Sequence, residues 1–222
     1  MLKVCAILIL LVGTTMIFNA CNNASAAVAI PNPKLDAQLA TTKSQQTAVF
    51  AGGCFWGIEA VFDQVKGVSK AESGYSGGSA DTADYYTVSS GATGHAESVR
   101  VTYDASQVTY GQLLKVFFSV AHDPTELNRQ GPDVGSQYRS AVFFANDEQK
   151  RIAESYIKQL DEAKLFSGKI VTQVVPLAAF YAAEDYHQNY LVNHPNEPYI
   201  VYNDMPKLVN LRKLLPELCK QR

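Results

Sequence analysis

The sequence predicts an α+β domain folded as a two-layer sandwich. Three observations predict it. Short apolar or alternating segments take turns with segments whose apolar residues recur every three to four positions, in the order β-α-β-β-α-β, then α-β. The first six of these match the ferredoxin-like split βαβ arrangement. After about residue 176 the chain is rich in aromatics, prolines and asparagines, which predicts a long irregular C-terminal tail wrapped over the domain.

The elements follow from local pattern. Ala48-Val49-Phe50-Ala51 gives a strand at about 47–51 that runs into Gly52-Gly53. Ile58, Val61, Phe62 and Val65 then fall on one helical face, so a helix is expected over about 54–65, ended by Gly67. Val68 to Tyr75 reads as a second strand of poor alternation. Ser76-Gly77-Gly78-Ser79 opens a long loop holding Asp81, Asp84, Tyr85 and Tyr86 and closing near Gly91 and Gly94; loops of this length in compact domains are commonly functional. From Glu97 to Tyr103 the residues alternate, with Glu97, Val99, Val101 and Tyr103 on one face. Thr109 and Gln112 form a capping box for a helix carrying Leu113, Leu114, Phe117, Phe118 and Ala121. A polar segment, His122 to Gln137, leads to a strand at Tyr138–Phe144. Asn146 caps a helix with Ile152, Ala153, Tyr156, Ile157 and Leu160, and Ile170 to Val175 forms a further strand. One short helix is expected in the tail, at Pro206–Leu215.

The chain has 222 residues, and residues 1–26 read as a leader. Lys3 supplies a positive start, and the apolar run Val4 to Val12 is too short for the ~20 residues that cross a bilayer. Ala24-Ser25-Ala26 is a small-residue cleavage site for a signal peptide. The alternative is a lipoprotein leader ending before Cys21, with Cys21 lipid-anchored. Residues 27–46, with Pro31, Pro33 and a polar run, read as a linker, and 47–222 as one domain. The expected location is outside the cytoplasm, periplasmic or secreted. A net charge of −2 without a basic cluster gives no sign of nucleic acid binding. Beyond the leader and its edge only Cys54 and Cys219 remain, which excludes a disulfide scaffold, and no Cys/His spacing suits a metal.

Gly53-Cys54-Phe55-Trp56-Gly57 places a thiol in the first turn of a predicted helix. Unpaired N–H groups and the positive end of the helix dipole there lower a thiol pKa from ~8.5, which predicts a reactive thiolate walled by Phe55 and by the only tryptophan. Glu97 on an apolar strand face is expected to hold its proton near neutral pH and to act as an acid. Tyr85, Tyr86 and Tyr138 border loops, where phenols can donate to an oxygen gaining charge. Asp133 accepts hydrogen bonds or shapes its turn. His187 is a candidate partner for Cys54 in a hydrolase-like dyad, and a pocket that only binds thioethers is a non-enzymatic alternative.

These residues resemble the signature of the A-type peptide methionine sulfoxide reductases. Gly74-Tyr75-Ser76-Gly77-Gly78, Thr93-Gly94-His95-Ala96-Glu97, His122-Asp123-Pro124, Arg129-Gln130-Gly131-Pro132-Asp133, Gln137-Tyr138-Arg139-Ser140 and Ala183-Glu184-Asp185-Tyr186-His187-Gln188 resemble family segments in family order, over roughly residues 47 to 215. The resemblance implies an enzyme that repairs oxidised proteins by reducing methionine-S-sulfoxide, free or in proteins. It implies attack by Cys54, protonation by Glu97, hydrogen bonds from Tyr85 and Tyr138, an S-methyl held by Phe55 and Trp56, and support from Asp133. Cys54 would become a sulfenic acid that thiols reduce, with a thioredoxin-like protein as donor, no cofactor and no metal, and a monomer is expected. Many members carry recycling cysteines in a glycine-rich tail, whereas residues 195–202 have none here. Either Cys219 resolves the sulfenic acid or an external thiol reduces Cys54 directly.

Overall fold

The computed structural model describes residues 27–221. The leader, its cleavage site and Cys21 lie outside the described residues. The fold is mixed α/β. One six-stranded sheet has the order β7-β6-β1-β3-β2-β8, where the strands are β1 (Gln45–Gly52), β2 (Val68–Ser76), β3 (Ala96–Asp104), β6 (Ser140–Phe144), β7 (Gln173–Pro176) and β8 (Phe180–Ala182). A small ribbon of β4 (Arg129–Gln130) and β5 (Asp133–Val134) lies outside it. The central run β6-β1-β3-β2 is antiparallel throughout, and only β7 joins its neighbour in parallel.

Alternation decides which side of the sheet each residue serves. Phe50, Val99, Val101, Tyr103 and Val142 face the main core with helices α1 (Phe55–Asp63), α3 (Tyr110–Val116) and α4 (Asp147–Ala163). Val49, Ala51, Ala96, Ala141 and Phe143 build a smaller cluster on the opposite face. At the centre Phe50 stacks on Phe62 and Phe117, with ring centroids 5.1 and 5.0 Å apart. Each such ring contributes about 1.5–3 kcal/mol through burial.

The predicted caps are present. Thr109 accepts from the Gln112 N–H at 3.1 Å while the Gln112 side chain accepts from the Thr109 N–H at 2.9 Å. Asn146 accepts from the Gln149 N–H at 2.9 Å. Past Val116 the third helix widens into a π turn, Phe117–Ala121, which ends it at His122. The strand expected at 170–175 starts at Gln173 instead, because the Ile170 and Val171 N–H groups bond to Asp161 Oδ1 and the Pro124 carbonyl rather than to a strand.

Two segments read as irregular are held in place. Residues 27–44, read with 45 and 46 as linker, run over the domain: Ile30 is buried, Tyr156 donates to the Pro31 carbonyl at 2.6 Å, and Asp36 accepts from the Gly111 N–H at 2.7 Å. The C-terminal tail holds more regular structure than its composition suggests. It adds β8 to the sheet edge, then Glu184, which accepts the Tyr85 N–H, a short helix α5 (Tyr190–Asn193), and a π turn at Ile200–Asp204 that opens into α6 (Met205–Leu214). Glu59 of α1 fastens it, accepting from the Asn189 N–H at 2.8 Å.

Candidate active site

The turn between β1 and α1 sets the thiol. Gly53 has φ +99°, and a Cβ there would come within 2.7 Å of Gln130 Cβ, so the position requires glycine twice over. Cys54 follows as the N-cap of α1, one step before the first turn in which the sequence places it, and it is 8% exposed. Burial changes its chemistry. Desolvation, then the charges of Glu97 and Asp204, push the thiol well above its ordinary value, against the pull of the Trp56 backbone N–H and Lys207. The lowered thiol expected from a helix start is therefore not found in the resting site. The helix end favours the anion, but loss of water around the sulfur outweighs it.

Glu97 lies on the inner face of β3, as the alternation predicts, and is buried. Its Oε2 accepts the Phe55 N–H at 3.1 Å, which ties the carboxyl to the residue after Cys54. Desolvation pushes its carboxyl up to about 8, with Asp133 and Asp204 adding to the rise. Glu97 thus carries a proton at neutral pH.

The two predicted phenols converge on this pair. Tyr85 opens the single-turn helix α2 (Tyr85–Val88); Asp84 caps that turn, and the Tyr85 N–H is held by Glu184 Oε1 at 2.9 Å. Tyr138 ends a 3-10 turn, Ser136–Tyr138, before β6. Burial raises both phenols, and the charges of Glu97 and Cys54 raise both further, so both keep their protons. Tyr86 is 90% exposed, which separates it from Tyr85.

Phe55 is buried against Tyr75 and His187. Trp56 is half-buried, stacked on Tyr190 at 3.8 Å and met edge-on by Tyr199. The Trp56 Nε1–H donates to His187 Nδ1 at 3.1 Å. That bond speaks against the hydrolase reading: His187 Nδ1 accepts from the indole, its Nε2 has no hydrogen-bond partner among the described residues, and neither nitrogen bonds to Cys54. Asp133, on β5, accepts a hydrogen bond from the Tyr199 hydroxyl.

Three groups at the site escape sequence reasoning: Tyr199, Asp204 and Lys207, all from the tail. Asp204 is fully buried and paired to the Lys207 ammonium at 3.0 Å. Their signal in the sequence is an acid and a base three apart in an otherwise apolar helix start.

Cys219 is not brought to Cys54. It bridges Val65 at the far end of α1, with the Lys66 N–H on the Leu218 carbonyl at 2.7 Å and the Lys220 N–H on the Gln64 carbonyl at 2.8 Å. The nine residues of α1 at ~1.5 Å each make roughly 13 Å of helix between Cys54 and the end where Cys219 pairs with Val65, against the ~7 Å between Cα atoms that a disulfide tolerates.

Residues 46–217 match the peptide methionine sulfoxide reductase family. The chain belongs to that family. It is 62% identical over 177 residues to peptide methionine sulfoxide reductase MsrA 2 of Mesorhizobium japonicum, covering 80% of this chain and 91% of the relative. It is 52% identical over 186 residues to MsrA 2 of Synechocystis, covering 83% and 87%. Among solved structures, it is similar to methionine sulfoxide reductase A of Corynebacterium diphtheriae, at 36% identity and TM-score 0.60, covering 79% of this chain and 90% of that one. Mxr1 of Saccharomyces cerevisiae in reduced form gives 31% identity and TM-score 0.64, covering 74% and 92%. In this sulfoxide reductase residues 195–202 hold Tyr199 and no cysteine, and lead into Asp204 and Lys207.

Proposed function

We propose that the reaction of this methionine sulfoxide reductase is confined to the S epimer and runs through Cys54, Glu97, Tyr85 and Tyr138. The observation that carries this reading is the buried Glu97 carboxyl accepting the N–H of Phe55, the residue next to Cys54. The Cys54 sulfur bonds to the sulfoxide sulfur and the sulfur–oxygen bond breaks. Glu97 protonates the departing oxygen, with the Tyr85 and Tyr138 hydroxyls donating to it. The oxygen leaves as water, and a water then bonds to the Cys54 sulfur as the bond between the two sulfurs breaks. Methionine is released, a proton is returned, and Cys54 is left as a sulfenic acid, so the sulfoxide is reduced by two electrons and the cysteine oxidised by two. Phe55 and Trp56 supply the apolar wall for the S-methyl group, and Asp133, held by Tyr199, supports recycling. In the fold, the antiparallel order β6-β1-β3-β2 with α1 and α3 as crossovers supports a ferredoxin-like core extended by β7 and β8. With dithiothreitol as reductant, the enzyme is expected to reduce methionine-S-sulfoxide and leave the R epimer untouched. Equal reduction of both epimers overturns the stereochemical reading, and reduction of neither overturns the whole.

An external thiol, rather than Cys219, restores Cys54 in this proposal. One thiol displaces water from the sulfenic acid to form a mixed disulfide, and a second releases the Cys54 thiol. The separation of Cys219 from Cys54 along α1 supports this route. After one turnover without reductant, mass spectrometry is expected to find the sulfenic acid at Cys54 and no Cys54–Cys219 bridge; that bridge in place of the sulfenic acid would overturn it. A thioredoxin-like protein is the proposed donor. The leader pattern of residues 1–26 supports export, so a thiol relay across the membrane is part of the proposal, and the protein acts as a monomer.

A further inference from the structure

The thiol and the acid of this site oppose each other. A charged Glu97 and a charged Cys54 repel, and burial penalises both anions. Attack on a sulfoxide needs the thiolate, and the helix end does not secure it. The groups whose charge is felt between them and the sulfur are mostly acidic or neutral: Glu97 from β3, Tyr85 from α2, Tyr138 before β6, Tyr190 from α5, and Tyr199 and Asp204 from the tail, with Asp133 of β5 one step further out on Tyr199. His122, beneath Gly52, is buried and held neutral.

Lys207 is the exception. Its ammonium lies over the first turn of α1, the helix that Cys54 caps. Gly57 is the third residue of that helix, and a Cβ added to it would stand 2.9 Å from Lys207 Nζ and 2.1 Å from Asp204 Oδ1. Only a glycine lets the Asp204–Lys207 pair sit against the helix backbone this near the sulfur. The Lys207 side chain is 13% exposed and Asp204 fully buried. Asp204 Oδ1 holds the ammonium at 3.0 Å, whereas its Oδ2 has no hydrogen-bond partner among the described residues. Leaving a buried carboxylate oxygen unpartnered costs stability, and a pair kept solely to join α6 to α1 would be replaced by apolar residues at no loss.

We infer that Lys207 is the counter-charge for the Cys54 thiolate and that Asp204 is the positioning residue that seats its ammonium over the first turn of α1. The inference rests on Cys54 being the nucleophile. It assigns to the tail an electrostatic role in the chemistry, on a segment that in many family members has a redox one. The two side chains act on the sulfur with opposite signs, since the ammonium favours the thiolate and the carboxylate opposes it. That contrast separates an electrostatic role from a structural one.

The test is the pH dependence of Cys54 alkylation by iodoacetamide in the full chain, followed on the Cys54 peptide by mass spectrometry. It needs no sulfoxide, so its outcome stands apart from whether the enzyme reduces one. Lys207→Met is expected to move the Cys54 profile to higher pH by about one unit or more, seen as roughly tenfold slower alkylation at a fixed pH below the midpoint. Lys207→Arg keeps the charge and stays near wild type. Asp204→Asn keeps the Oδ1 acceptor that seats the ammonium and removes only the opposing charge, so it moves the profile the other way, to lower pH. Profiles that do not move, or that move in the same direction for Lys207→Met and Asp204→Asn, overturn the inference. If Lys207→Met fails to fold, Asp204→Asn decides alone: a profile unmoved or moved to higher pH overturns it.

Discussion

Cys54→Ser is expected to abolish sulfoxide reduction. The hydroxyl fits the space of the thiol at the N-cap of α1, so the fold and the aromatic wall of Phe55 and Trp56 persist. The chemistry does not persist. An alkoxide is far harder to form than a thiolate in a buried site already crowded by Glu97, Asp133 and Asp204, and oxygen cannot take the second oxygen to become a sulfenic acid. Turnover of methionine-S-sulfoxide with dithiothreitol is expected to fall by roughly 10⁴-fold or more, the scale seen when a covalent nucleophile is removed from an enzyme. Unfolding by denaturant is expected to change little, which separates lost chemistry from lost structure. Turnover within tenfold of wild type would mean that another group attacks. The wild type is also expected to consume two thiols per sulfoxide, a demand that neither a hydrolase nor a binding pocket would make.

Glu97→Gln is expected to slow the reaction by roughly 10²–10⁴-fold, the usual worth of a general acid. The amide keeps the size of the side chain and can still accept the Phe55 N–H, but it has no acidic proton for the departing oxygen. The pH profile carries the sign. The carboxyl is held up at about 8, so it is protonated below that value and loses its proton as pH rises through it. The wild-type rate therefore falls on the alkaline side of about pH 8, and the glutamine variant lacks that limb. Stability follows the same proton. Between an ordinary carboxyl value of 4.5 and about 8, the folded state binds a proton that the unfolded chain has released. This carboxyl's contribution to stability is full below that window and is lost as pH rises across it. Glu97→Gln is expected to flatten that part of the stability profile. A rate unchanged from wild type, or an alkaline limb that survives, would reassign Glu97 to structure.

The parts of the fold and site that could be read from the sequence are those written in local pattern. Alternation at 97–103 put Glu97 on the inner face, the glycines and the Ile58–Val65 spacing put Cys54 at a helix start, and the Thr109 and Asn146 caps stand where expected. Misreadings came where a long-range contact decides. The reactivity of Cys54 depends on burial under residues far along the chain, and a helix start considered alone predicts the wrong direction. The role of His187 stays open in the sequence, because the contact that decides it, with Trp56, is distant along the chain. The three-residue β8 has too little pattern to see, and exists because Tyr75 and its neighbours on β2 offer it an edge. Asp204 and Lys207 were hidden by a tail whose composition resembles loop.

The closing of α1 by the tail has a consequence for how the protein is made. The helix that opens with Cys54 gets its cover from Asn189, Tyr190, Asp204 and Lys207, with Trp56 on Tyr190 and Gly57 under Asp204. A ribosome delivers Cys54 in the first quarter of the chain and Lys207 near its end. Contacts so far apart in sequence form late, after loop closure over most of the domain. For most of its synthesis the nascent chain is therefore a bearer of an ordinary, uncommitted thiol, and it matures into a reductase only once its last helix has docked.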